Sequence, residues 1–239
     1  MKSLLFVWLG LAGGAWAGTE VDGLSLPWKS VRVSSPVQDI VAEVKVEEGM
    51  TVTKDQVLAR LHDEKEQAEH DRSLKIVMKR EFDYKSSAAL VADKITSKEK
   101  ALEADVELQL ARVDVELAQR KLEEKTIKSP LNGILVRKLK EVGESVDRVE
   151  QMFEIINIDQ LFLQFYVDRK VAEALKPGQE FAFWVTGETG AKHQAVVDFV
   201  NPGADPASGL FRVKLLHINK DHVLKAGVRV TADFKTPGT

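Results

Sequence analysis

The chain has 239 residues, with 34 Lys and Arg against 37 Asp and Glu, a formal net charge of −3, and no cysteine. A small, dispersed charge of this kind gives no electrostatic footprint for nucleic acid, and the missing thiols exclude a disulfide framework, a thiolate metal site and a lipid anchor on cysteine. At 44% hydrophobic residues the chain can bury one or two ordinary cores.

The opening stretch predicts a cleavable signal peptide over residues 1–17. It has a basic Lys2, an apolar run from Leu4 to Leu11, and Ala15 and Ala17 in the small-x-small arrangement before the cut. That run is shorter than the ~20 residues needed to cross a bilayer, so the expectation is an exported chain beginning near Gly18. Residues 18–32 follow as an N-terminal segment, with Leu24 to Trp28 a candidate barrel strand.

Residues 33–61 read as short strands joined by tight turns: Val41, Val44 and Val46 lead into "EEGM", and Val52, Val57, Leu58 and Leu61 follow. The same text returns at residues 126–157 with a constant offset of 94, so that Pro36 matches Pro130 and Gly49 matches Gly143. Ser35/Ser129, Ile40/Ile134, Glu47/Glu141 and Val52/Val146 hold the same register, as do the apolar pairs Val33/Ile127, Val37/Leu131, Val41/Leu135 and Leu61/Ile155. An internal duplication accounts for this. Gly49 and Gly143 sit where the turns require positive φ. Neither half has enough strands to be stable alone, so the two are expected to close into one small sandwich.

Between the halves, residues 62–125 contain neither proline nor glycine, which predicts helix. Thr96 or Ser97 ahead of Glu99 supplies an N-cap. The segment is therefore expected to form two helices, about 62–92 and 97–125, folded back as an antiparallel coiled-coil hairpin. In the second helix Ala101, Leu108, Val115 and Leu122 recur every seven residues with Ala104, Ala111 and Ala118 between them, a seam that permits close approach. Leu102, Val106, Leu110, Val113 and Leu117 form a second stripe, read as burial against another subunit, the alternative being that they widen the face within the hairpin. In the first helix Leu74, Met78, Phe82 and Ala89 are the candidate seam, and the polar start "HDEKEQAEHDRS" reads as a solvated or frayed stalk.

Residues 158–235 change character. "LFLQFYV", "EFAFWV", "AVVDFV", "LFRVKLL" and "VRVTADF" are strand-like runs separated by loops such as "KPGQ" and "NPGADPASG", with one or two helical turns in "DRKVAEAL". A small antiparallel barrel is the expectation, followed by a tail at 236–239. The fold class is α+β: mainly β, with a sandwich split by a helical hairpin and then a barrel.

The duplicated unit, with its Pro-x-x-G-x-[VI] start and G-[ED]-x-V turn, resembles the lipoyl/biotinyl fold. No Met-Lys-Met or Asp-Lys-Ala turn is present, which argues against a swinging-arm carrier and against any bound cofactor. The order of half-lipoyl unit, hairpin, half-lipoyl unit and barrel, with "KPGQ" and "LKAGVRV", resembles the periplasmic adaptor (membrane fusion protein) family of efflux and type I secretion systems. That resemblance implies a noncatalytic periplasmic subunit. It also implies assembly as a ring, often hexameric, that joins an inner-membrane transporter of ABC or RND type to an outer-membrane channel. No segment after the barrel matches the membrane-proximal domain of many proton-driven relatives, which makes an ABC-type partner more competitive. Family hairpin tips carry Arg, Leu and Ser at the spacing of Ser86, Leu90 and Ser97; Leu90 and Ser97 fit, while Lys85 adjoins the place of the arginine.

The five histidines, His62, His70, His193, His217 and His222, follow no metal-ligand pattern, and no nucleophile elbow or phosphate-binding loop occurs. Met50, Met78 and Met152 are conceivable soft metal ligands but stand at hydrophobic positions that predict core packing. An exported coiled-coil scaffold without a transport role, a metal-handling adaptor and a lipoyl-like carrier component are the competing readings.

Overall fold

The computed structural model describes residues 20–187 and 192–234; the expected signal peptide and the tail at 236–239 lie outside the described residues. In chain order the elements are β1 (Glu20–Ser34), β2 (Asp39–Val44), β3 (Thr51–Val52), β4 (Val57–Leu61), α1 (Glu64–Ala92), α2 (Lys98–Glu123), β5 (Thr126–Lys128), β6 (Gly133–Lys138), β7 (Ser145–Val146) and β8 (Gln151–Val167). There follow α3 (Arg169–Ala174), β9 (Glu180–Val185), β10 (His193–Ala204), β11 (Phe211–Ile218) and β12 (Arg229–Asp233). They fall into two compact units, one from Lys29 to Ile158 and one made of residues up to Trp28 together with those from Asp159 on.

In the first unit the duplicated halves interlock by exchanging equivalent hydrogen bonds. Val41 N–H donates to Glu144 O (2.9 Å) and Gly143 N–H to Val41 O (2.8 Å); 94 residues away in each partner, Leu135 N–H donates to Met50 O (2.9 Å) and Gly49 N–H to Leu135 O (2.8 Å). Asp55 N–H reaches Ser129 O and Val149 N–H reaches Ser35 O, both at 2.8 Å. Asp55 and Val149 are themselves twins and both take left-handed backbone, with φ 66° and 69°. Gly49 and Gly143 match as closely, at φ 88° and 89°. Pro36 and Pro130, both exposed, each follow a buried serine whose hydroxyl donates to the carbonyl two residues on, Val37 and Leu131.

The halves also cross in pairing, β2 with β7, β4 with β5 and β3 with β6, while β2 pairs with β4 and β6 with the start of β8 inside each half. The core between them is built of twins, Val41 and Leu135, Val52 and Val146, Leu58 and Met152, Ala59 and Phe153, Leu61 and Ile155, all buried. Gly133 allows β6 and β8 to approach closely, since a Cβ there would lie 2.3 Å from the carbonyl oxygen of Ile156.

The second unit is a closed barrel in the order β1, β12, β9, β10, β11, β8, with β8 pairing back onto β1. Leu161, Leu163, Phe165, Phe183, Val197, Val213, Leu215 and Val230 alternate along its strands and fill the interior. β1 joins β12 through Glu20 to Leu24, which lies just ahead of the stretch expected from sequence. The reason is Gly23, whose missing side chain leaves room for Gln164 O and the Phe165 ring, each 2.5 Å from a Cβ built there. Ser25 then anchors the late turn, donating to Lys225 O (2.8 Å) and accepting from Val228 N–H (2.9 Å). α3 is capped by Asp168, which accepts from Val171 N–H at 2.9 Å.

Candidate functional site: the helical hairpin

Ser97 decides where α2 begins. Its hydroxyl accepts from Lys100 N–H, satisfying one of the orphan donors of the first turn, and Glu99 adds acidic charge beside it. α1 ends at Ala92, Lys94 then takes the left-handed region (φ 59°), and Ile95 N–H turns back to Leu90 O at 2.9 Å. The reversal leaves Leu90 and Ile95 exposed at the tip. Lys85 is paired with Glu81 at 2.8 Å, and that ammonium, by hydrogen bond and charge, holds the Glu81 carboxyl below its ordinary range.

The α2 seam is where its heptads predict: Ala104, Leu108, Ala111 and Ala118 are buried, with Ala101, Val115 and Leu122 partly buried between them. The α1 seam is not the expected one. Leu74, Met78, Phe82 and Ala89 are exposed, and the helix instead turns Glu66, His70, Ser73, Val77, Arg80, Tyr84, Ser87 and Val91 inward. These alternate by four and three residues, a full heptad pattern written mostly in polar side chains. Small alanines on α2 bring the backbones close, and α1 answers with groups that pair across the seam. Arg80 meets Glu107 at 2.6 Å and Lys121 meets Glu69 at 3.0 Å.

The polar start of α1 is tethered rather than frayed. Lys125, just past α2 and buried, donates to Asp39 of β2 and lies 3.2 Å from Glu66 of α1, tying both helices to the sandwich. Burial pushes the Asp39 carboxyl up, but the Lys125 hydrogen bond, the Ile40 N–H and the Lys125 charge outweigh it and leave the group below its ordinary range. Burial likewise opposes the Lys125 charge, and hydrogen bonds to Asp39 and Glu66 raise its pKa above the usual lysine value.

Outward, the hairpin carries uncovered apolar surface. Leu102, Val106, Leu110, Val113 and Leu117 of α2 are 50 to 63% exposed, and Met78 and Phe82 of α1 are each 70% exposed. The Arg80–Glu107 and Glu69–Lys121 pairs fix the axial register of the two helices, which sets Met78 level with Leu110 and Phe82 level with Val106. Rows of uncovered apolar side chains of this kind mark an interaction site.

Of the methionines, Met152 is in the sandwich core, whereas Met50 and Met78 are exposed, contrary to the core packing expected for all of them. His193 and His217, 24 residues apart in the chain, are brought together on the barrel with ring centres 5.6 Å apart. Nothing local in the sequence signals this, because strand pairing creates it. His222, itself at φ 51°, pairs with Asp159 at 2.8 Å.

Two family models match the chain: the CzcB-like barrel-sandwich hybrid domain over residues 29–157 and the CusB-like beta-barrel domain over residues 160–238. No curated protein sequence matches it. Among solved structures, a MacA-MexA chimeric protein carrying the Pseudomonas aeruginosa MexA α-hairpin domain superposes with a TM-score of 0.82 at 19% identity, over 92% of this chain and 79% of that one. The membrane fusion protein Spr0693 from Streptococcus pneumoniae R6 gives 0.73 at 18% identity, over 92% of this chain and 100% of that one. ZneB from Cupriavidus metallidurans gives 0.56 at 16% identity, over 90% and 97%. With its sandwich, hairpin and barrel in the family order, the chain belongs to the membrane fusion, or periplasmic adaptor, protein family.

Proposed function

We propose that this protein is the noncatalytic periplasmic adaptor of a multi-component efflux or secretion pump. Copies assemble side by side through their hairpins into a ring that bridges an inner-membrane transporter of ABC or RND type and an outer-membrane channel. The observation that carries the reading is the pair of uncovered apolar stripes on α1 and α2 at matching levels. Covering the exposed half of each of these side chains contributes about 1 kcal/mol apiece, which overcomes the cost of association only when many are covered together. In a ring the contact is heterologous, α1 of one copy against α2 of the next. Such a contact closes into a ring when its rotation allows. The tip residues Leu90 and Ile95, exposed where the helices reverse, are then the surface offered to the channel, with Ser97 and Lys85 flanking them.

Leu110→Asp tests this by sedimentation velocity at several concentrations. The buried charge without a partner should abolish the associated species and leave the melting temperature of the monomer within about 2 °C, since Leu110 touches water rather than the seam. An unchanged distribution of species would remove the hairpin from the assembly.

A further inference from the structure

We infer that His193 and His217 form a binding site for a divalent first-row transition-metal cation of the zinc and copper kind at one end of the barrel unit. His193 stands opposite the fully buried Phe183 in the β9–β10 register and so shares its inward face. His217 continues the inward series of Val213 and Leu215 along β11. The two imidazoles therefore converge on the same side of the sheet. Their centres are 5.6 Å apart with planes at 70°. Two imidazoles that share one zinc, each through a nitrogen at ~2.0–2.1 Å and near-tetrahedral angles, have ring centres roughly 5–5.5 Å apart.

The second support is the tautomer. His217 Nδ1 lies 2.8 Å from the carbonyl oxygen of Gln194, an acceptor only, so Nδ1 carries the proton and Nε2 presents its lone pair. A ligating histidine is commonly fixed in this way, with its other N–H on a backbone carbonyl. Burial also disfavours the imidazolium form of His217. The Phe183 ring, 5.0 Å from His217 and 5.3 Å from His193, packs against both and limits their rotation. Among the described residues no third His, Asp or Glu completes a cluster, so water or a passing ligand fills the remaining positions. The site suits an exchangeable cation rather than a structural one, and imidazole nitrogen favours zinc, copper or nickel over magnesium or calcium. It is independent of how the hairpins assemble.

The test is a titration of the full, tag-free chain with Zn²⁺, followed by NMR of the five histidine rings. The His193 and His217 signals should move together and saturate at one zinc per chain while those of His62, His70 and His222 stay in place. His193→Phe and His217→Phe, which keep an aromatic ring against Phe183, should each weaken binding about tenfold or more. Parallel movement of all five histidines, still signals at 193 and 217, or undiminished affinity in both variants would overturn the proposal. Because the wild-type spectra bear on the site by themselves, a variant that failed to fold would not rescue it.

Discussion

Replacing Lys125 by alanine isolates the tie between hairpin and sandwich. The ammonium is the shared partner of Asp39 and Glu66, whose side chains are 21% and 18% exposed. Removing one member of a fully buried ion pair costs about 3–5 kcal/mol because the other charge is left unpaired. The residual water access of the two carboxylates reduces this to about 2–4 kcal/mol. The backbone bonds of Lys125, to Leu122 O and from Leu61 N–H, are kept, so the loss belongs to the side chain. In thermal unfolding followed by circular dichroism the drop should be roughly 5–15 °C.

The pH dependence has a definite sign. Asp39 has a lowered folded pKa, so its contribution is present above the unfolded carboxylate value and is lost as pH falls through the folded one. Lys125 has a raised one, so its contribution is complete at neutral pH and is lost only as pH rises through that raised value. The gap between wild type and Lys125→Ala should therefore hold from pH 7 down to about pH 4 and narrow as the pH falls further, through the lowered pKa of Asp39. Lys125→Met combined with Asp39→Asn and Glu66→Gln should recover most of the stability, since a neutral cluster leaves no unpaired charge. A melting temperature within 1 °C of wild type for Lys125→Ala at pH 7 would refute the reasoning.

Two further expectations follow from particular positions. Val149 holds a left-handed backbone that costs a β-branched residue about 1–2 kcal/mol, while its twin position carries Asp55; Val149→Asn should raise the melting temperature by roughly 2–5 °C, and a fall would mean that Val149 makes contacts its exposed position does not suggest. At the tip, Leu90→Asp combined with Ser97→Asp should leave folding and ring assembly intact, because aspartate also caps a helix, yet abolish export by the whole pump; undiminished export would leave the hairpin as a spacer.

The sandwich was legible because its duplication is gapless: each strand, turn and core position was written twice, and both φ-positive glycines stood in register. The barrel strands were legible from their apolar runs and Pro/Gly loops, and α2 from its alanine heptad. The α1 seam was not. Hydrophobicity pointed to Leu74, Met78 and Phe82, but those residues face solvent and the inward heptad is held by cross-helix ion pairs. Those pairs join Arg80 to Glu107, Glu69 to Lys121 and Glu66 to Lys125, partners 27 to 59 residues apart that no local pattern reveals. A signal was present in Val77, Tyr84 and Val91, spaced by seven, but it was weaker than the apolar row beside it. Ile95 escaped notice at the tip because only the left-handed Lys94 exposes it. The sequence also had no means of showing that two distant histidines meet, since that depends on the β9–β10–β11 register.

The absence of cysteine from the chain makes one measurement decisive for the assembly. Two tagged single variants, Met78→Cys and Leu110→Cys, are co-expressed and oxidised in the cell envelope, and the disulfide-linked species are resolved by their tags. A heterologous hairpin contact predicts mixed dimers that join position 78 of one copy to position 110 of another, with few of either homodimer. Homodimers alone, or no crosslink at either position in assembled pumps, would contradict the account.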